Sequence, residues 1–377
     1  EFPSGIAIQD ADDQSVWNLS AELTSKITGS GFIVNDSKTR MQFRGSRQMV
    51  TGLTVNEKVN VRSDYYRRAR AMCDSLFASG TYHSSFLPPA GDGGEPQPNI
   101  IDDLNPLEGI LSHIYQVTQH EERRDVQDQR QEPRAIRKLY RRFLFYKYFI
   151  ALKQPLIVTE GKTDPLYLRE AVRNSPKYHP LLGARGPKGF VHSARYFGYG
   201  KQASELLDLG SGGTSNLRSI PLDYRRNLVT SSKEQRGFAH TPMLFPVILV
   251  LDNDDGLGAV ASTIKQNFKI TMSTKTTEDF YHIVGNLYVV KTPEIIAPST
   301  EPGITYIEQL FTQKWLDTEL NGKKFSAKNE IDINNEYGKE VFAKAIIKPN
   351  ASTVDFSGFG PLLDRIVKVY EHHAKQI

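Results

Sequence analysis

Short unbroken apolar runs alternate with amphipathic ones over the second half of the chain. PLIVTE at 155–160, FPVILVL ahead of DNDDG, and LYVVK in GNLYVVKTP are too short for helices and are bounded by Pro, Gly or acids. Such runs predict strands covered on both faces. Between them, PLYLREAVRN and DGLGAVASTIKQNF repeat apolar residues at three- and four-residue spacing and predict amphipathic helices. Strand, helix, strand, helix, strand in this order predicts an α/β fold, a mostly parallel sheet flanked by helices. After 304, TYIEQLFTQKWLDTEL and GPLLDRIVKVYEHHAKQI predict further helices joined by a polar connection.

The first half is less regular. SVWNLSAELTSKI has helical spacing up to Gly29-Ser30-Gly31, and GFIVND and QMVTGLTVN read as short strands. YYRRARAMCDSLF predicts a helix with a basic face. FLPPAGDGGEPQPN, 86 to 99, reads as a loop or linker from its Pro and Gly content, and PLEGILSHIYQVTQ as a helix. The segment 120 to 152 interleaves Arg and Lys with Tyr and Phe in its second half. Two readings stand side by side: an amphipathic helix that packs its aromatics and shows its charges to water, or a basic helix lying on phosphates. The chain shows no internal repeat.

Composition narrows the class. The 377 residues are 39% hydrophobic and 24% charged, enough for two or three globular domains. The net charge of +4 favours an acidic partner only weakly, so the placement of charge matters more than its sum. The single cysteine, Cys73, excludes an internal disulfide and a cysteine zinc site, and suits a reducing cytoplasm. No apolar run approaches a membrane span, and EFPSGIAIQDADD lacks the layout of a signal peptide. The missing initiator methionine points to a piece of something longer.

Gly161-Lys162-Thr163 ends like a nucleotide-binding phosphate loop. That loop needs a glycine four residues before the Gly-Lys pair, and position 156 is Leu. Glu160, at the carboxyl end of a strand, is the better candidate, because α/β sheets build their sites there. The next apolar strand ends in Asp252, Asn253, Asp254 and Asp255. Residues two apart on an extended backbone face one way, so Asp252 and Asp254 can share one hard cation such as Mg²⁺. With neighbouring strands, Glu160 would face them and either complete a metal site or move a proton. The plainer alternative is a turn glutamate and helix-capping aspartates, with Asp255 as the cap.

"LIVTEGKTD" followed by "VILVLDNDDG" resembles the TOPRIM domain of primases, topoisomerases and related nucleases, over about 155–300. The resemblance implies a Rossmann-like fold, Mg²⁺ (or Mn²⁺) on Asp252 and Asp254, and Glu160 as general acid/base at a phosphodiester. The gap of 252 − 160 = 92 residues, which contains ELLDLGSGGTSNL, is long for such a domain. In this it is most similar to the overcoming-lysogenization-defect nucleases. Those use further acids for a second metal, which here would be Glu278, Asp279 or Glu308. Gly161 is expected as the turn out of the strand and Asp164 as a cap or support of the next helix. Lys162 is expected at a phosphate, against the carboxylates, or solvated.

"GFIVNDSKTRMQFRGSRQMVTGLTVNEKVNV" resembles the end of a retron-type reverse transcriptase. Lys38 stands where that family approaches the incoming triphosphate, and Val50 to Asn56, with Gly52, where its hairpin grips the primer. The departure is the Y-x-D-D pair, which is missing; Ala11-Asp12-Asp13 lacks the tyrosine, so polymerisation by these residues alone is not expected. Together the resemblances imply five parts. These are a palm remnant at 1–61, a helical thumb at 62–125, a basic connector at 126–154, a TOPRIM domain at 155–300 and a helical end at 301–377.

A retron reverse transcriptase fused to a TOPRIM effector implies antiviral defence in the bacterial cytoplasm. It also implies an N-terminal polymerase part, a retron non-coding RNA and its reverse-transcribed DNA as partners, homo-oligomerisation, and no membrane. A nuclease acting on RNA such as tRNA, or on DNA, is the expected activity. Arg67, Arg68, Arg137, Lys138, Arg141 and Arg142 are the expected phosphate contacts, beside Gly52 and Asn56. An idle binding module, or primase- or topoisomerase-type chemistry, are the rivals.

Overall fold

In the computed structural model the described residues are 7–10, 17–36, 39, 42–43, 45–83, 100–119, 122–229, 236–294, 304–328 and 330–377. The chain divides into two compact units, Glu1–Arg67 with His113–Arg124, and Arg68–Ser112 with Asp125–Ile377. Two of the boundaries fall inside the helices Ser63–Ser79 and Asn105–Gln119, and the third, between Arg124 and Asp125, falls next to the expected start of the connector at 126.

In the first unit, Met49–Val50, Leu53–Thr54 and Asn60–Val61 form an antiparallel three-stranded ladder. Its first turn is tight: Thr51 and Gly52 both take positive φ, 49° and 87°, as a two-residue hairpin requires. The stretch SVWNLSAELTSKI is a short strand, Trp17–Leu19, and then a helix, Ala21–Gly29, whose Ser20 side chain accepts the Leu23 N–H. GFIVND is not a strand. Phe32 and Ile33 are 70% and 92% exposed, and a strand without a packed face has nothing to hold it. The loop expected at 86–99, like Lys38 and Ala11-Asp12-Asp13, lies outside the described residues.

The second unit is built on a five-stranded sheet: β1 Leu156–Thr159, β2 Arg195–Tyr196, β3 Val247–Leu251, β4 Tyr281–Val284 and β5 Leu287–Lys291, in spatial order β2-β1-β3-β5-β4. All pairs are parallel except the hairpin of β4 with β5. The unit is α/β, as the pattern of apolar runs predicts. Every residue of β1, β3 and β5 is buried, the result of cover on both faces. Ile157, Ile248 and Tyr288 stand in register and share one core with helix α2, defined below, and with the carboxyl-terminal helix.

The helices follow their apolar stripes. They are α1 Ala135–Phe145, α2 Asp164–Arg173, α3 Leu257–Phe268 and α4 Gly360–Ala374. Leu257, Val260, Ala261 and Ile264 give α3 one buried face. TYIEQLFTQKWLDTEL does not make one helix. It forms a single tight turn, Ile307–Leu310, an extended Phe311, and another turn, Gln313–Leu316. The break lets Phe311 pack against Tyr167, Phe342 and Phe359. Among the described residues no helix is long and apolar enough to cross a membrane.

Candidate active site

β1 and β3 are neighbours, so Glu160 and Asp252 leave the sheet side by side. The Glu160 N–H still bonds the Val250 carbonyl at 3.2 Å, and the Asp252 N–H reaches Glu160 Oε2 at 3.4 Å. Asp252 is nearly buried, and its Oδ1 accepts the Ile307 N–H at 2.9 Å. Asp254 turns its Oδ1 to the Gly256 N–H at 2.8 Å, at the entrance to α3. The turn-closing role expected of Asp255 thus belongs to Asp254. The Asp255 side chain is exposed, and Gly256 precedes α3 without a side-chain cap.

Three segments converge on these acids. Gly161 gives its N–H to Asp164 Oδ2 at 2.7 Å, which fixes the turn out of β1 and leaves no open N–H cradle for a phosphate loop. Asp164, 5% exposed, is the first residue of α2. The segment 304–310 arrives through an exchange of backbone bonds between Asn253 and Thr305, at 2.8 and 3.0 Å. It delivers Glu308, which is fully buried. The glycine-rich insert arrives last: Gly213 donates its N–H to the Glu160 carbonyl at 3.0 Å, and the Thr214 N–H donates to the Glu160 carboxyl. Gly212 sits so close that a Cβ there would stand 2.3 Å from the Glu160 oxygen, with φ at +99°.

The Lys339 ammonium stands by Glu308, Asp252 and Asp164, while Glu160 and Asp254 face each other beside them. The Lys339 Nζ is 3.1 Å from Glu308 Oε2. Burial, then Asp164, Glu160 and Glu308, push the Asp252 carboxyl up to about 9. Burial and Asp254 raise Glu160 as well, and burial raises Asp164 and Glu308. Like charges gathered out of water favour the protonated forms or a bound cation.

Whether these residues suit Mg²⁺ is tested by Glu308. Its Oε1 is buried without a hydrogen-bond partner among the described residues. An all-oxygen carboxylate set with an orphaned buried oxygen fits a hard divalent cation in its chemistry. The spacing is looser than the chemistry: among the described residues no group of three or more His, Cys, Asp or Glu side chains is arranged to hold an ion. Glu278 and Asp279 are elsewhere. Glu278 is exposed and accepts from the Tyr281 hydroxyl at 2.8 Å, and Asp279 pairs with Lys368 at 2.5 Å. Of the three further acids read from the sequence, Glu308 alone joins the cluster.

The expected phosphate contacts divide. Arg67, Arg68 and Lys138 are exposed. Asn56 is engaged at home: its Oδ1 accepts the Gln48 N–H at 2.9 Å and its Nδ2 donates to the Ser46 carbonyl at 2.6 Å. Arg137 and Arg141 correct the expectation of a basic surface on α1. Arg137 is 6% exposed and donates to the Glu205 carbonyl at 3.1 Å. Arg141 donates to Asp223 at 2.8 Å and also to Asp208. Arg142 lays its guanidinium over Phe77 and Phe238, 4.6 and 4.9 Å from the ring centres, and donates to the Arg236 carbonyl. A helix that buries Tyr140, Phe143 and Phe145 also draws in the arginines beside them, and their buried charge needs carboxylates.

No family model matches the chain, and no solved structure matches it.

Proposed function

We propose that the second unit is a metal-dependent nuclease of the TOPRIM type, acting on cellular RNA or DNA. The observation that carries this is the meeting of Glu160 and Asp252 at the ends of adjacent parallel strands, with Asp254 and Glu308 gathered round them and the Lys339 ammonium on Glu308. Asp252 and Asp254 would hold Mg²⁺, with Glu308 as further support. Bound there, the ion would stabilise charge on a phosphodiester and lower the pKa of water. Glu160 holds or moves the proton. Burial and Asp254 raise its carboxyl, while the Asp252 and Thr214 N–H groups keep it in place. Lys339 holds Glu308 and offsets part of the negative charge.

The wider reading continues from the sequence resemblance. The first unit would be the end of a retron reverse transcriptase, its ladder around Gly52 serving as a primer grip. The whole would be a bacterial cytoplasmic defence protein that binds its own RNA–DNA product and assembles as a homo-oligomer. The absence of a closed ligand set among the described residues favours one rival, an idle TOPRIM module that binds without cutting. Incubating the protein with labelled tRNA, single-stranded DNA and duplex DNA separates the two. Cleavage that needs Mg²⁺ and is lost in Glu160→Ala supports the nuclease; equal, metal-independent turnover in both proteins rejects it.

A further inference from the structure

A cavity of about 350 Å³ opens where the chain leaves β1 and β2, with Lys162, two residues beyond Glu160, in its wall. Its walls include Lys162, Arg169, Tyr196, Gly198 and Tyr199. Lys162 and Arg169 are exposed, and among the described residues neither forms an ion pair, unlike Arg137 and Arg141 of α1. The Arg169 guanidinium lies 4.7 Å from the Tyr196 ring centre, which steadies its donors at the rim without using them up.

Tyr199 ties the cavity to the acids. Its hydroxyl donates to the Thr159 carbonyl, one residue before Glu160, and its ring is 3.5 Å from where a Cβ on Gly212 would stand. It holds φ at +46°, in the left-handed region that a bulky residue adopts only under strain. Strain of this kind persists where surrounding contacts impose it, and it collects at ligand sites.

We propose that this cavity is the subsite for a phosphate of the nucleic-acid strand, next to the one being attacked, held by Lys162 and Arg169. This rests on the nuclease reading above. A polyanion approaching five carboxyls is repelled unless fixed positive charge stands nearby, and Lys162 is only two residues, ~7 Å of extended chain, from Glu160. The volume is at the small end of ligand cavities, which run from ~300 to 1,000 Å³, so it suits one nucleotide unit and not a duplex.

The test is fluorescence anisotropy of a labelled single-stranded oligonucleotide in EDTA, across a salt series, with wild type, Lys162→Ala/Arg169→Ala and Arg169→Lys. The double variant is expected to bind at least tenfold more weakly. Its log K against log salt slope should shrink by about 0.7, the contribution of the one phosphate of a single strand that the two side chains share. Arg169→Lys should recover most of the affinity, which a merely misfolded surface would not allow. An unchanged dissociation constant and slope in the double variant overturns the subsite. AMP competing as well as the oligonucleotide overturns the assignment to a strand. Cleavage of the same oligonucleotide in Mg²⁺ by wild type and Glu160→Ala is read separately. Equal rates there remove the nuclease reading, and binding alone then judges the subsite.

Discussion

Two clusters of buried charge lie in the second unit, and they are built on opposite terms. Along α1, the guanidinium groups of Arg130, Arg137, Arg141 and Arg226 meet Glu205, Asp208 and Asp223, with N–O distances of 2.8 Å for Arg141–Asp223, 3.2 Å for Arg130–Asp208 and 2.5 Å for Arg226–Asp223. At the ends of β1 and β3, five carboxyls gather with Lys339. In the first cluster every carboxylate meets guanidinium groups of the same chain, four cations to three acids. The second is left with excess negative charge that something from outside can neutralise. Pairing within the chain marks the first cluster, and a surplus of carboxyls marks the second, the one proposed to take a cation.

The comparison breaks most sharply at Glu160. Glu160→Ala should lower Mg²⁺-dependent cleavage by about 10²–10⁴-fold, the usual reach of a general acid/base, while urea unfolding stays near wild type. A loss below tenfold would take Glu160 out of the chemistry. In the first cluster the effect moves to stability. Arg141→Ala leaves Asp223, 2% exposed, with Arg226 as its remaining cation and should cost about 1.5–3 kcal/mol in urea unfolding. A cost under 1 kcal/mol would mean that water already reaches Asp223.

The acid cluster should also show itself through pH. Asp252 has a folded value of about 9, above its ordinary ~3.9, so the neutral carboxyl favours the folded state. Its contribution is fully present below about pH 4 and is lost as pH rises through 9. In EDTA the melting temperature should therefore fall between pH 6 and 9, and Asp252→Asn should flatten that fall. Mg²⁺ at a hundred times its dissociation constant should restore about 2.7 kcal/mol to wild type. A flat profile in wild type would show that the acids are not forced together. The smallest effect is expected at Asp279→Ala, which removes an exposed pair with Lys368. It should change stability by less than about 1 kcal/mol, and a strong loss of cleavage would place Asp279 back among the site residues.

The sheet was legible because its central strands are buried on both faces and so are written as unbroken apolar runs. Glu160, Asp252 and Asp254 could be paired from sequence because they follow two such runs. Other features depend on distant partners that no local pattern encodes. Arg141 looks like a surface arginine until Asp223, 82 residues on, is placed beside it. Glu308 joins the acids because the Ile307 N–H binds Asp252 across 55 residues. The edge strand β4 is only four residues long and buries every second one, and the hairpin of Gly183–Gly186 with Gly189–His192 has too few apolar residues to announce itself. The helix read at 305–320 failed because Phe311 gains more from an aromatic nest than from a continuous helix.

The close approach of Gly212 to the Glu160 carbonyl bears on how such a domain can be shortened or recombined. The long stretch between the two acidic motifs resembles dispensable ornament, yet its middle clasps the first motif through Gly213 and Thr214. Trimming it to the length of a minimal domain would preserve both motifs letter for letter and release the residue that joins them. In any chimera, the segment from 160 to 214 should therefore travel as one heritable piece.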